Sequence, residues 1–451
     1  MFAIAAASCG SAANPAVNSV LPPPAQSAAQ GEPLAMAPQQ GNRITHVIVI
    51  IQENRTVDNL FNGFPGADTV RSGENVRGQR VPLSPVSITA PYDLSHRHTA
   101  WLADYNRGKM NGFSGEHVHC LLRMRTKCPT RGVAAYSYVP KDEVKPYWEM
   151  AHSYVLGDHM FQTNQGPSFP AHQYVVSGTS IIADGSTIKA AENVSDPQKI
   201  GKQGGCDSVR NARVATINEL GGNGPLVYPC FKRRSIMEKM NDAGVTWRYY
   251  QARSGAGQWH AVDAIEPIWA SPTYKNVIWP SSRVLKDVAA GQLADVTFVT
   301  PTALASDHAG DTNGSGPDWV ATIVDAVGES KFWKSTAIFV VWDDWGGWYD
   351  HVTPTVYNSY EDGFRVPLLV ISPYAKQGYV SHTAYEFGSI LKFIEATFKL
   401  TSLDTTDERA NNFADPFDFG SSPRKFVPIP RRRSKGYFLS QTDDRSPDDD
   451  Y

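Results

Sequence analysis

Three features of the sequence predict an α/β sandwich with a mainly parallel central sheet. Short β-branched runs are apolar on both faces. Helical apolar patterns lie between or after them. Polar clusters follow directly on the ends of two of the runs, where open α/β sheets bind ligands.

The first run is His46-Val47-Ile48-Val49-Ile50-Ile51, too short for a helix and apolar on both faces, as in a buried parallel strand. Val296–Thr300, Ala337–Trp342 and Val366–Ile371 repeat the pattern. Trp319, Ile323, Ala326 and Val327 recur at helical spacing, as do Phe387, Ile390, Leu391, Ile394 and Phe398. Residues 181–235 break the rhythm. They are rich in Gly, Lys, Asn and Asp and read as an insertion capping one end of the sheet. No internal repeat is found.

Composition sets limits. Of 451 residues, 41% are hydrophobic and 11% aromatic, ample for a core. The 42 basic and 45 acidic residues nearly balance at −3, which gives no support for broad electrostatic binding of nucleic acid. No apolar run reaches the roughly 18 residues of a spanning helix.

Residues 1–42 open small and apolar and continue as an Ala/Pro/Ser/Gln-rich stretch, a signal-like segment followed by a flexible linker. Ala6-Ala7-Ser8-Cys9 resembles the end of a bacterial lipoprotein signal, with Cys9 as a lipidated membrane tether. A short apolar core without a basic start reads as a truncated signal. The expectation is export: periplasmic, outer-membrane-anchored or secreted. Setting Cys9 apart leaves Cys120, Cys128, Cys206 and Cys230, an even remainder that suggests two disulfides in an exported chain. The short loops Cys120–Cys128 and Cys206–Cys230 are the simplest of three pairings, and the lack of a CxxC pair disfavours cysteine-bound zinc. Beyond a domain at 43–400, residues 401–451 form a polar extension. Its charge runs, Arg431-Arg432-Arg433 and Asp448-Asp449-Asp450-Tyr451, read as solvated tail.

The chemistry lies in five segments. After the first strand come Gln52-Glu53-Asn54-Arg55, where a carboxylate and an amide offer hard oxygen ligands. The bland alternative is a capped strand-to-helix turn. After the run ending at Trp342 come Asp343 and Asp344, adjacent carboxylates that a cation would stabilise. Gly346 and Gly347 follow and permit close backbone approach, and His351 adds a ligand or acid/base, with a structural histidine as its alternative. Ser168 sits between Pro167 and Pro170 in a rigid turn that could aim its hydroxyl at a metal. Alone it is equally a turn serine. His96 in Asp93-Leu94-Ser95-His96-Arg97-His98 and His308 in Ser306-Asp307-His308-Ala309-Gly310 complete the set.

Taken in order over residues 44–400, HVIVIIQENRTVDNLF, DLSHRHTAW with YNRGKMNGF, MFQTNQGPSFPAHQYVVSGTS, SDHAG, VVWDDWGGWYDHV, FRVPLLVISPYAK and SHTAYEFGSILKFIE resemble the bacterial phosphoesterase family. That family includes phospholipases C and a group of acid phosphatases within the alkaline-phosphatase superfamily. The resemblance implies an alkaline-phosphatase-like α/β/α core and metal-dependent hydrolysis of a phosphate ester or phospholipid headgroup. It implies Glu53, Asn54, Asp343 and Asp344 as metal ligands, with Asn54 also touching phosphate. Ser168 would be the nucleophile of a phosphoseryl intermediate. His96, His308 and His351 would hold phosphate oxygens or protonate the leaving group. Family phospholipases C usually carry Thr at the Ser168 position, the phosphatases Ser, and many members have Asp where this chain has Asn111. Oxygen-rich ligands admit Ca²⁺, Mg²⁺, Mn²⁺ or a single transition ion. Trp101, Trp259, Trp345 and Trp348 could line a choline cage or belong to the core.

Two rivals stand beside this. A sulfatase or phosphonate hydrolase on the same fold is disfavoured because Ser168-Phe169-Pro170-Ala171-His172 lacks the arginine of the sulfatase motif. A non-catalytic exported protein that binds phosphate or phosphocholine is disfavoured by the intact polar set.

Overall fold

The computed structural model describes residues 43–120, 128–195 and 202–442. The expectations for residues 1–42, Cys9 included, and for Asp448–Tyr451 lie outside the described residues.

The apolar runs form the centre of a nine-stranded sheet. In chain order its strands are β1 (His46–Gln52), β2 (Val155–Phe161), β3 (Trp247–Tyr250), β4 (Val277–Ile278), β5 (Val296–Val299), β6 (Thr336–Trp342), β7 (Arg365–Ile371), β8 (Tyr379–Ser381) and β9 (Tyr385–Glu386). Their spatial order is β4-β3-β5-β1-β6-β7-β2-β8, with β9 also pairing to β2. All neighbours run parallel except that β7 is antiparallel to both β6 and β2. The mainly parallel expectation therefore holds, but the Val366–Ile371 run, grouped by sequence with the parallel strands, is the reversed one. Being buried on both faces makes a central strand apolar throughout, whichever way it runs.

The sequence reading did not identify β2. Asp158 and His159 interrupt its apolar pattern, and both fall at a register shift opposite Pro367.

Every residue of β6 and β7 is buried, so both faces of the sheet are covered. The helices that cover it fall into two mutually contacting groups. In chain order the longer helices are α1 (His98–Tyr105), which joins neither group, α2 (Lys145–Ser153), α3 (Ser168–Ser177), α4 (Ile236–Ala243), α5 (Arg283–Ala289), α6 (Gly316–Gly328) and α7 (Phe387–Phe398). Helices α2, α5 and α6 make one group, and α3, α4 and α7 the other. The helices expected from the Trp319 and Phe387 patterns are α6 and α7. No helix among the described residues is long and apolar enough to cross a membrane.

Both short-loop disulfides, Cys120–Cys128 and Cys206–Cys230, are present. Within the 181–235 insertion, a strand pair at 189–190 and 216–217 is accompanied by a small cluster of Ala190, Val194, Ala212, Val214 and Phe231. Phe169, next to Ser168, packs into that cluster, with its ring 6.0 Å from Phe231. The expectation of a solvated Arg431–Arg433 run is corrected. Arg431 pairs with Asp325 and Arg433 with Asp318 of α6, and the Arg432 amide donates to Asp318 Oδ1 at 3.0 Å. Buried Ile429 and Phe438 bracket the run and hold it on the domain.

Candidate active site

Strands β1, β2, β5 and β6 all finish at one end of the sheet, because parallel strands share a direction. The residues that follow them form the site. Glu53 and Asn54 leave β1, and Asp343 and Asp344 leave β6. The turn 162–167 carries the chain from β2 to Ser168, the first residue of α3.

Asn54 adopts a left-handed backbone, φ +51°. That conformation is uncommon outside glycine, Asn tolerates it best, and it clusters at functional sites. Asn54 Nδ2 reaches both Asp344 Oδ2 at 3.2 Å and Ser168 Oγ at 3.3 Å, and the Asn54 amide donates to Asp343 Oδ1 at 3.1 Å. Ser168 Oγ donates to Asp344 Oδ2 at 3.1 Å. The bland reading of the segment is also realised: Thr56 caps the one-turn helix Val57–Leu60, accepting from the Asn59 amide.

The two glycines after Asp344 explain how β6 delivers its acids so close to β1. Both have positive φ, +61° and +72°. A Cβ on Gly346 would stand 2.6 Å from the Asn54 carbonyl oxygen, and one on Gly347 2.5 Å from Leu94 Cβ. The loop is thus wedged between Asn54 and the segment leading to His96, where only glycine fits. Gln162 ties the serine turn to the same loop, accepting from the Trp345 amide at 2.9 Å and donating to the Gly166 carbonyl at 3.2 Å.

His172 belongs to this group, and the sequence reading missed it. Its Nε2 lies 2.9 Å from Glu53 Oε1 and 3.7 Å from Asp343 Oδ2. One donor atom from each of Glu53, His172 and Asp343 falls within 4.8 Å of the others, and all three residues are buried. The usable signal was spacing: Ser168 and His172 are i and i+4 on α3, hence on one face.

The donor set fits a divalent cation. Asn54 Oδ1 and Asp343 Oδ2 are buried and without a hydrogen-bond partner. Such orphaned acceptors are costly, and a cation would satisfy both. The oxygens suit Ca²⁺, Mg²⁺ or Mn²⁺, and the imidazole of His172 adds a donor suited to a transition ion.

His96 and His308 face one another beside this centre, their rings 5.8 Å apart, with His96 6.3 Å from the Trp345 ring. His96 Nδ1 meets the Leu94 carbonyl at 2.9 Å and His308 Nδ1 the Ala309 carbonyl at 2.8 Å. A carbonyl only accepts, so each Nδ1 carries hydrogen, and Nε2 is the acceptor in the neutral ring and an acid when protonated. Arg55 positions the His308 loop, with its Nε donating to the Asp307 carbonyl at 2.9 Å. Burial raises the Asp307 carboxyl to about 6, although Tyr147, Arg55 and Trp342 favour its ionised form.

His351 joins a different cluster. Its Nδ1 lies 2.6 Å from Asp58 Oδ2 and its Nε2 3.1 Å from Asp68 Oδ1. Both ring nitrogens are thus held by carboxylates, with Arg365 alongside at 3.3 Å from Nδ1. The structure therefore brings Asn54, Ser168, Asp343 and Asp344 into direct contact, joins Glu53 to them through His172, sets His96 and His308 beside them, and assigns His351 to an ion network. Trp101, Trp259, Trp345 and Trp348 are all buried, and the Arg55 guanidinium lies 4.8 Å from the centre of the Trp348 ring. They serve as core and wall, and do not form an open cage.

The family model described as the Phosphoesterase family matches residues 44–401, and the chain belongs to that family. A non-hemolytic phospholipase C of Pseudomonas aeruginosa is 23% identical over 446 residues, covering 83% of this chain and 58% of that protein. Phospholipase C A of Mycobacterium tuberculosis is 24% identical over 436 residues, covering 85% of this chain and 79% of that protein. The chain spans a little over half the length of the Pseudomonas and Burkholderia phospholipases C it matches. Among solved structures, an alkaline-phosphatase-superfamily protein from Vibrio parahaemolyticus aligns with TM-score 0.36 at 9% identity, over 79% of this chain and 66% of that one.

Proposed function

We propose that this chain hydrolyses phosphate esters, as an acid phosphatase or a phospholipase C, with Ser168 as nucleophile in a metal-assisted site. The observation that carries this reading is the placement of Ser168 Oγ. It heads α3 and lies 3.1 Å from Asp344 Oδ2 and 3.3 Å from Asn54 Nδ2. A serine so held has a fixed direction of attack, and a helix N-terminus favours the negative charge of a phosphoryl group.

Glu53, Asn54, Asp343 and Asp344 would hold the divalent ion, with His172 bracing Glu53 and Asp343. When bound, that ion supplies positive charge that lowers the pKa of the serine hydroxyl and offsets charge on phosphoryl oxygens. Ser168 Oγ passes its proton to Asp344 Oδ2, which it already faces at 3.1 Å, attacks phosphorus and forms an O–P bond as the ester oxygen leaves. His308 or His96, protonated at Nε2, gives its proton to the leaving oxygen. Water then attacks the phosphoserine, the same imidazole takes the water proton, Ser168 Oγ recovers its proton from Asp344 as the O–P bond breaks, and phosphate or its monoester is released. Asn54 Nδ2, which donates to Ser168 Oγ at 3.3 Å, would turn to a phosphoryl oxygen when substrate is bound.

The substrate is a phosphate monoester, a phosphodiester or a phospholipid headgroup. Ser rather than Thr at position 168 favours the phosphatase branch, and the phospholipase C relatives favour the diester. The two disulfides fit an oxidising compartment, so we place the protein outside the cytoplasm. The test compares p-nitrophenol release from its phosphate monoester and its phosphorylcholine diester, with and without chelator, beside Ser168→Ala. Chelator-sensitive turnover lost in the variant supports the mechanism, and the faster substrate assigns the branch. Unchanged turnover in Ser168→Ala overturns it. If neither substrate turns over after metal is restored, the non-catalytic binding reading takes its place.

A further inference from the structure

A second group of metal-ligating side chains stands on the outer edge of the sheet. We propose that Asp158, His159 and His382 form a zinc site, separate from the Ser168 centre, that staples the edge of the sheet to β2.

The backbone builds this group. Adjacent residues of a regular strand point to opposite faces, so Asp158 and His159 should diverge. At this point Val366 pairs with Met160 while Leu368 pairs with Gly157, leaving Asp158 and His159 opposite Pro367 alone. This is a β-bulge, and proline suits it because no ladder hydrogen bond is required there. The outer neighbour lapses at the same place. β8 pairs with residues 155–157, β9 with 160–161, and His382 lies in the gap between them. His382 Nδ1 reaches the two Asp158 oxygens at 2.9 and 3.0 Å, and the His159 and His382 rings are 6.0 Å apart. One donor atom from each of the three residues lies within 4.8 Å of the others.

The chemistry of the donors selects the ion. Two imidazoles and one carboxylate make a borderline-soft set suited to Zn²⁺, with water as the fourth ligand. Calcium and magnesium prefer all-oxygen cages. Asp68 supplies the outer support that metal-bound imidazoles commonly engage. Its Oδ2 is 3.1 Å from His159 Nε2, and its amide donates to Asp158 Oδ2 at 2.7 Å. The Asp158 side chain is fully buried while that of His382 is 57% exposed. The site therefore has a fixed floor and an open mouth, with room for His382 to close on an ion.

Zinc held here would tie the His382 segment to the strand whose far end leads into the Ser168 turn. It would also steady Glu386, which caps α7. Its effect would fall on stability and leave the chemistry at Ser168 unchanged.

The test uses the full chain, stripped by chelator, and Zn²⁺ titrated against a chromophoric competitor. Wild type should bind one equivalent more than His382→Ala, and the same difference should appear in an Asp343→Asn background, where the Ser168 centre is weakened. Zinc should raise the thermal midpoint of wild type more than that of His382→Ala, while turnover is retained in the variant. Co²⁺ should give the visible absorption of a four-coordinate ion in wild type, diminished in His382→Ala and in His159→Ala. Equal zinc stoichiometry in wild type and His382→Ala overturns the site and leaves a simple histidine–aspartate pair. These readouts are independent of phosphoester turnover, so failure here is distinct from failure of the Ser168 mechanism.

Discussion

Two buried acidic clusters follow β1 and β6, and they handle their charge in opposite ways. In the first, Glu53, Asp343 and Asp344 meet Asn54, Ser168 and His172: an amide, a hydroxyl and an imidazole. In the second, Asp58 and Asp350 meet Arg365 and His351. Arg365 grips Asp350 with two bonds, Nε to Oδ1 at 2.8 Å and Nη2 to Oδ2 at 3.0 Å, and lies 3.5 Å from Asp58. The difference comes from strand direction. Because β7 is antiparallel, its first residue, Arg365, arrives at the end of the sheet where β1 and β6 finish. The second cluster carries its own cation. The first is built from more carboxylates than the imidazole among them can balance, which is the composition expected of a site that recruits a metal.

The comparison breaks most sharply in activity. Ser168→Ala should lower phosphoester turnover by at least ~10³-fold, since it removes the attacking atom, while leaving the unfolding midpoint near wild type. Asp343→Asn should produce a comparable loss that added metal restores poorly. If either variant keeps turnover within a few-fold, the first cluster is not the reaction centre.

The next effect is on stability. Arg365→Met leaves two buried carboxylates without their guanidinium and should cost about 3–5 kcal/mol in denaturant unfolding. A variant as stable as wild type would show that the second cluster is not held by its arginine. The converse sharpens the point. In chelator-treated protein, Asp343→Asn should leave stability unchanged or raise it by about 1 kcal/mol, because it relieves repulsion between buried acids. A clear loss would mean the carboxylates of the first cluster are balanced without a metal.

The smallest effect is in pH dependence. Burial works to lower the His351 pKa, but the hydrogen bond and charge of Asp58, with Asp350, raise it above 6.5. A raised imidazole pKa contributes stability that is fully present below 6.5 and is lost as pH rises through the folded-state value. His351→Gln should therefore flatten the stability profile above pH 6.5, measured by urea unfolding across pH. An unchanged slope would remove His351 from the charge balance.

Much of this was legible from residues alone. The runs at 46–51, 296–300, 337–342 and 366–371 are strands because β-branched apolar residues report burial locally. Helices α6 and α7 follow from apolar spacing. The short-loop disulfides follow from cysteines close in sequence. Glu53, Asn54, Asp343 and Asp344 stand out because polar residues directly after buried strands are costly without a purpose. Less legible was β2, whose apolar pattern is cut by Asp158 and His159 at a bulge that only the partner strand's register defines.

Sequence by itself determined which segments are buried, which strand ends carry oxygen donors, and the family they belong to. Those properties depend on hydrophobic periodicity and local residue type, which a single segment contains. Tertiary structure alone decided which charged groups meet. It placed His172 on Glu53 and Asp343, gave His351 to Asp58 and Asp68, and drew Arg431–Arg433 onto α6. The physical reason is that a buried charge is stabilised by whatever partner the neighbouring strands and helices bring within a few ångströms. That partner is set by strand order and direction, which no one segment encodes.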